Sequence, residues 1–375
     1  MAAEPDLRIA FHAPRASHLT PGESGDKVFV RTLLAELRAR GHEIEIVSRV
    51  NARDFWRGHL PARRLITEAI SVRRAMKQFA PDAWLVYGAS VKNPDLFGWW
   101  QRPKRYVLLN TYVGSGSELG WWWRWLFALA YRRSLARADT IAAERPRNAD
   151  DLRALGLSAE RLRIFPPAVD TCDWVPSREE ARRRLGLPQQ APIILCVSRL
   201  SAPRNDAKPW KTEWVLDLLN AVALAALPTD VLFVVVGDGP GRQRVETKIA
   251  ELELRARVRL VGSVPHEDVR WFYGACDLYA YPDMRDRMFN TILEAQACGR
   301  AVLTTHTRSS SLTVDAGRTG LLAKDLEEFQ ALLSELVKDR PRCEEMGKAG
   351  PAYIARFHSI ETRVRQIEDL LRCGT

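Results

Sequence analysis

Asp286 and Glu294, within "DMRDRMFNTILEAQACGRAV" (residues 283–302), are the two side chains of this 375-residue chain whose types and spacing most suggest chemistry. Asp286 falls in a polar loop. Asn290 has the side chain of an N-cap, and "TILEAQACG" runs on as a helix that Gly299 stops. The two acids therefore do not share a helix face. One carboxylate is expected above, and the other beside, a helix N-terminus whose free N–H groups face a cleft. Carboxylates accept paired hydrogen bonds from vicinal hydroxyls, so two of them at such a spot suit a sugar and a ribose. A solvated loop acid and an acid held by the helix dipole would use the same residues.

Other strand ends add cations and glycines. Arg199 follows "VSRL", and Lys208 and Lys211 precede a helix that begins near Thr212. Cations beside a helix N-terminus make a site for a diphosphate, because unpaired N–H groups and positive charge act together. Arg199 and Lys211 would also serve as surface ion-pair residues. After "FVVVGDGPG", Gly237, Gly239 and Gly241 let the backbone approach a ligand and turn into a helix. Such turns also occur in α/β proteins that bind nothing there.

These positions need a scaffold of strands followed by helices. "LRIAFHAP" (7–14), "HEIEIVSR" (42–49), "AWLVYGA" (83–89), "RYVLLNTY" (105–112), "DTIAAE" (139–144) and "LRIFPPAV" (162–169) read as strands, with a helix over 26–41 closed by Gly41. The pattern restarts with strands at 192–200, 231–241, 257–265, 276–282 and 301–305, between helices over 211–227, 242–254 and 290–299. Strands alternating with helices predict doubly wound parallel sheets, and two series predict two of them. The expected division is residues 1–180, 181–358 and a C-terminal helix over 359–375 that packs back on the first domain, with a cleft between the two sheets' carboxyl ends.

Composition sets the limits. With 46% hydrophobic and 27% charged residues the chain is of the globular kind. The six cysteines show no C-x-x-C pair and no His in zinc spacing, which predicts reduced thiols in a cytoplasmic setting and no metal site. "MAAEPDLRIAFHAP" lacks the apolar run of a signal peptide. The net charge of +10 is uneven: residues 1–185 hold 31 Lys and Arg against 21 Asp and Glu, and residues 186–375 hold 25 against 25. The first half is thus the one that seeks an anionic partner. No helix-turn-helix, zinc-finger or RNP-like motif accompanies that charge, which argues against nucleic acid.

"VSRL", "VVVGDGPG", "RLVGSVPHEDVRWFYGACDLYAYP", "DRMFNTILEAQACGRAVLTT" and "GRTGLLAKD" appear in the order and spacing of one family. They resemble the nucleotide-sugar-binding domain of retaining glycosyltransferases of the GT-B fold, in the large group called family four. The likeness is strong over about 190–355 and weaker over the first half, where "RIAFHAP", "SGDKVFVRTLLAELRARGHEIEIVSR" and "RIFPPAVD" match the usual N-terminal pieces. The resemblance implies that Glu294 holds the donor's ribose hydroxyls. It implies that Asp286, with the backbone around Phe289 and Asn290, holds the transferred sugar, and that Gly237, Gly239, Gly262 and Thr291 line the same site. It gives Arg199 and Lys211, or else Lys208, the diphosphate. It further implies no cofactor and no metal, and an acceptor hydroxyl that attacks from the face the leaving group departs, its proton passing to the departing phosphate.

The chain departs from the family pattern in several places. The first acid is Asp rather than Glu, Phe289 stands where many members have Gly, and "PPAVD" replaces "PNGVD". The His that often follows the fourth N-terminal strand is absent, with Asn110 or Thr111 in its place. His12 and His18 lie near the first strand end, where a lone His is more often structural. Gly25 in "PGESGDK" is placed to approach the diphosphate, although Asp26 beside it would oppose an anion.

"GWWWRWLFALAYRR" (120–133) has an apolar segment too short for a span, which needs roughly 20 residues. Clustered Trp with flanking Arg124, Arg132 and Arg133 suits attachment to an anionic membrane surface; a buried core helix is the other reading. "LFGWW" (96–100) reads as a second exposed aromatic pair. The expectation is a glycosyltransferase on the inner membrane face that moves a sugar to a lipid-linked or polysaccharide acceptor. The alternative is a catalytically idle GT-B protein that binds a nucleotide or sugar as another enzyme's partner.

Overall fold

The structure is a computed structural model that describes residues 7–15, 19, 25–101, 103–114, 120–171, 174–201, 211–287 and 290–372. It divides into two compact units, Met1–Pro166 with Ile360–Thr375, and Pro167–Ser359. Each holds a six-stranded parallel sheet.

The first unit contains β1 (Arg8–His12), α1 (Gly25–Ala39), β2 (Glu43–Ser48), α2 (Ala52–Trp56), α3 (Arg63–Phe79), β3 (Ala83–Tyr87), α4 (Gly98–Gln101), β4 (Arg105–Leu109), α5 (Trp121–Arg137), β5 (Thr140–Ala143), α6 (Pro146–Arg153) and β6 (Leu162–Ile164). Its strand order is β2-β1-β3-β4-β5-β6. "AWLVY" of β3 and "TIAA" of β5 are buried at every position, as strands covered on both faces must be. The connection changes direction between β1 and β3, which makes that point a natural ligand crevice.

The second unit contains α7 (Arg178–Leu185), β7 (Ile193–Val197), α8 (Lys211–Leu224), β8 (Leu232–Val236), α9 (Arg242–Glu251), β9 (Val258–Gly262), α10 (Val269–Ala275), β10 (Leu278–Tyr281), α11 (Asn290–Ala297), β11 (Ala301–Thr305), β12 (Gly320–Ala323), α12 (Leu326–Lys338) and α13 (Arg340–Phe357). Its order is β12-β11-β10-β7-β8-β9, the doubly wound dinucleotide-binding arrangement with its switch between β7 and β10. A last helix, α14 (Ile360–Arg372), belongs to the first unit: His42 of that unit bonds Glu368 at 2.7 Å through Nε2, while Arg40 reaches the other oxygen at 3.2 Å.

Buried polar groups pin the frame. Arg182 of α7 is fully buried and donates to the carbonyls of Ala275, Gln189 and Ala191 and to Asp277 Oδ2 at 2.7 Å. The charge-assisted bond just before β10 fixes where that strand starts. In the first unit Asp95 accepts from His12 Nδ1 at 2.8 Å, Trp84 Nε1 at 2.8 Å, Tyr106 Oη at 2.6 Å and two backbone N–H groups. His12, 1% exposed, is thereby a core residue.

Two readings of the sequence need correction. The "LFGWW" segment is not exposed: Phe97 is buried and Trp99 and Trp100 pack against the first core. The chain is drawn in so closely that a Cβ on Gly98 would lie 2.3 Å from Asp95 Oδ2. Asn290 is the first residue of α11 rather than the residue before it.

Candidate functional site

The switch point of the second sheet collects the residues singled out above. Arg199 sits two residues beyond β7, exposed, and its side chain makes no ion pair or hydrogen bond among the described residues. The segment after it is tied to the start of α8, since Thr212 Oγ1 donates to the carbonyl of Ser201 at 2.7 Å. Lys211 opens α8; its side chain, and all of Lys208, Phe289 and His18, lie outside the described residues.

The glycines after β8 have a different task from the one first expected. Gly237 (φ +130°) and Gly239 (φ +150°) adopt backbone that favours glycine. A Cβ there would fall 2.1 Å from the Ser198 carbonyl oxygen and 2.2 Å from that of Leu200. The close approach they permit is thus to the chain itself, and it lets the Arg199 segment lie against the turn after β8, held by the Ser198 and Leu200 N–H bonds to the carbonyls of Val236 and Asp238. Gly262 ends β9 at φ +91°, facing the ion-paired Arg242 and Asp238.

Glu294 stands one turn into α11, beyond the neighbouring strand β10. Tyr273 Oη donates to its Oε2 at 3.0 Å and also reaches the Thr291 carbonyl at 3.3 Å. Among the described residues Oε1 accepts nothing. Burial pushes the carboxyl above the usual carboxylate range, against the pull of the His266 charge and the Tyr273 hydrogen bond. Thr291 is fixed by Tyr279 Oη at 2.7 Å, so its hydroxyl serves the frame of α11. A half-buried carboxylate with one oxygen unfilled among the described residues is a receptor for hydroxyl donors.

Asp286 is held differently. Its Oδ1 accepts from the Ser309 N–H at 2.7 Å, its Oδ2 lies 3.8 Å from Arg308 Nε, and its backbone is left-handed at φ +54°. The side chain fastens the loop after β10 to the turn after β11 rather than standing free for a sugar. A non-glycine residue in that conformation marks stored strain, which collects at functional loops. The sequence reading missed Asp283, buried at the end of β10, which accepts from the N–H groups of Arg285 and Arg287 and shapes the same loop. It also missed His266, whose effect on Glu294 depends on folding a turn 28 residues upstream against α11.

At the carboxyl edge of the first sheet, Gly25 is the first residue of α1. Asn110, just past β4, is left-handed at φ +48° and donates to Tyr87 Oη at 3.1 Å. Glu144 follows β5, and burial with the nearby Asp26 charge pushes its carboxyl up to about 7. Among the described residues no group of three or more His, Cys, Asp or Glu is placed to hold a metal ion.

Two doubly wound sheets, the second with a cation and a half-buried acid on the two sides of its switch point and a glycine turn on the next strand, define the GT-B class. The family model "Glycosyltransferase Family 4" matches residues 24–172 and "Glycosyl transferases group 1" matches 177–353. The chain belongs with the GT-B glycosyltransferases of the family-four kind. It is 28% identical to the D-inositol 3-phosphate glycosyltransferase of Nocardia farcinica, over 95% of this chain and 87% of the relative. It is also 28% identical to the GDP-mannose-dependent alpha-(1-6)-phosphatidylinositol monomannoside mannosyltransferase of Mycolicibacterium smegmatis, over 71% and 70%. Among solved structures, Anabaena HepE in complex with UDP superposes with a TM-score of 0.71 at 18% identity, covering 97% of this chain and 99% of that one.

Proposed function

We propose that the chain is a retaining, metal-independent glycosyltransferase that moves a sugar from a nucleoside-diphosphate sugar to a lipid-linked or polysaccharide acceptor at the inner face of the cell membrane. The observation that carries this reading is the half-buried Glu294, whose Oε1 accepts nothing among the described residues, one strand away from Arg199, whose guanidinium is unpaired among them. Glu294 takes the ribose hydroxyls, and Arg199, with Lys211, takes the diphosphate. As the bond from sugar to diphosphate breaks, negative charge grows on the leaving group, and fixed cations with helix N–H groups stabilise it there. The acceptor hydroxyl arrives from the same face and gives its proton to the departing phosphate, so no side-chain base takes part. Asp286 acts through the loop it fastens, placing the backbone that holds the sugar. A relative named for GDP-mannose-dependent transfer to a phosphatidylinositol monomannoside, and one named as a D-inositol 3-phosphate glycosyltransferase, support this assignment.

The membrane part rests on the surface of the first unit. Trp121, Trp122 and Trp125 of α5 are 81%, 52% and 57% exposed, with Trp122 and Trp125 stacked at 5.6 Å. On α3, Ile66 and Ile70 are exposed among Arg63, Arg73, Arg74 and Lys77. Both helices reach down into one small cluster through Leu65, Trp123 and Leu126. Among the described residues no helix is long and apolar enough to cross a membrane. Aromatic rings ringed by cations suit a surface attachment.

The test is release of nucleoside diphosphate from a panel of nucleotide sugars offered with inositol and glycolipid acceptors. One donor should give turnover that Glu294→Ala abolishes, with the anomeric configuration of the donor kept in the product by NMR. Binding of a nucleotide sugar without turnover on any acceptor would overturn the enzymatic reading in favour of an idle binding partner.

A further inference from the structure

A glutamate that receives a ribose needs a fixed direction, and its own torsions do not supply one. Holding such a long side chain still costs rotamer entropy. Among the described residues the half-buried carboxylate of Glu294 accepts one hydrogen bond, from Tyr273 Oη to Oε2 at 3.0 Å. Tyr273 is suited to hold a neighbour in place. It is 2% exposed and packs in the core of the second unit, its ring centre 6.0 Å from that of Tyr279. Its helix, α10, is seated tightly on the chain that leads into α7: a Cβ on the next residue, Gly274, would lie 2.6 Å from Pro176 Cγ and 3.0 Å from the Pro176 carbonyl oxygen.

Two phenols grip the first turn of α11, and they reach different atoms. Tyr279 Oη donates to Thr291 Oγ1 at 2.7 Å, which holds the helix. Tyr273 Oη lies 3.3 Å from the Thr291 carbonyl and 3.0 Å from Glu294 Oε2, so it ties the carboxylate to that same turn. A phenol has a single proton to give, and an ionised carboxylate is a stronger acceptor than a helix carbonyl. Burial, with the Glu294 charge, holds the Tyr273 phenol well above its ordinary range, so the proton is present at neutral pH. Burial raises Glu294 itself, while the His266 charge and the Tyr273 bond pull it back. Tyr279 of β10 and Cys298, just past α11, also face the pair. The strand β11, "AVLTT", carries no titratable group, and α13 meets α11 through Gly347 and Gly350.

Resting on the assignment of Glu294 to the ribose hydroxyls, we infer that Tyr273 is the positioning residue for that contact: its hydroxyl takes a lone pair of Oε2 and so presents Oε1 to the nucleotide's sugar. A carboxylate fixed before the ligand arrives loses less freedom on binding. The preference for a ribose that carries both hydroxyls is then set from α10 as well as from α11.

The test is a thermodynamic cycle on the full chain. Titration calorimetry compares UDP, GDP and ADP, each with its 2′,3′-dideoxy form, on wild type, Tyr273→Phe and Tyr279→Phe. Wild type should prefer the hydroxylated member of a pair, and Tyr273→Phe should shrink that preference by about fivefold, the worth of one side chain fixed beforehand. Affinity for the dideoxy member should stay unchanged, which also shows that the variant folds. Tyr279→Phe removes an equally buried hydroxyl from the same core and should leave the preference as in wild type. In Glu294→Gln the Tyr273 substitution should have no further effect on it. The diphosphate titrates alike in both members of a pair, so their ratio follows Glu294. That ratio should fall as pH drops and Glu294 gains its proton, and in Tyr273→Phe the fall should begin at higher pH, in a His266→Gln background as well. A preference kept whole in Tyr273→Phe, an equal loss in Tyr279→Phe, or an acid limb that does not move would overturn the positioning role and leave the ribose assignment standing. A wild type that binds both members of every pair alike, or none of the diphosphates, would sink the ribose assignment and the positioning role with it.

Discussion

Two carboxyls, one at each sheet's edge, are held above their ordinary range, and both offsets have the same cause. Glu144 and Glu294 are deprived of water without receiving enough hydrogen bonds in return. The ionised form is therefore the strained one. For Glu144 the folded carboxyl titrates at about 7 against an unperturbed 4.5, so folding is favoured by the neutral form below about pH 4.5, and that stability is lost as pH rises through 7. The offset corresponds to roughly 3 kcal/mol. Glu144→Gln should accordingly raise the melting temperature at pH 8 and leave it unchanged at pH 4, by calorimetry across that range. Glu294→Gln should behave with the same sign while removing transfer activity, since an acid kept in an unfavourable setting for function gives up stability for it. Equal shifts at both pH values would show that these carboxyls carry no burial cost. Asp286 belongs to a different kind: its oxygens already have partners, so its worth lies in holding a left-handed turn.

Among the elements, α11 is the one whose position the chemistry depends on most, and α13 holds it in place. Gly350 packs on the helix so closely that a Cβ would meet the Gln296 carbonyl oxygen at 2.4 Å, and Gly347 meets Gly299 in the same way at 2.3 Å. Both obstacles are backbone, which cannot swing aside. Gly350→Ala should cost about 1–3 kcal/mol in urea unfolding and, by displacing α11, raise the donor KM well beyond what the stability loss explains. An unchanged KM would place the strain elsewhere. The α/β alternation and most strands near the site were legible in the sequence, because buried parallel strands are written as short apolar runs such as "AWLVY" and "LFVVV". What escaped were the contacts made across elements. Nothing in the spacing of Tyr273, His266 and Glu294 states that three separate segments meet, and nothing in "ETRVRQIEDLL" announces that Arg363 will be buried. The glycines after β8 suggest room for a ligand, whereas the room is taken by Ser198 and Leu200. The small residue was visible in the sequence; the atom it yields to was not.

Over the whole molecule, charge and aromatic exposure coincide. The excess of +10 lies within residues 1–185, and the exposed Trp of α5 and the Ile of α3 fall in the same stretch. The two contributions answer differently to salt. Attraction between basic side chains and anionic lipid fades as the screening length falls from about 10 Å at 0.1 M to about 3 Å at 1 M, whereas transfer of indole rings into the interface does not depend on it. Sedimentation with vesicles of phosphatidylglycerol and phosphatidylcholine should therefore fall steeply but incompletely across that range. Trp122→Ser with Trp125→Ser should remove the part that survives at high salt. Replacing Arg73 and Arg74 by Gln should flatten the salt dependence while leaving that residual. Vesicles of phosphatidylcholine alone should bind weakly at every salt concentration. Sedimentation of the Trp variant equal to wild type at high salt would sink the interfacial role of α5, because its rings would then be making no contact that outlasts screening.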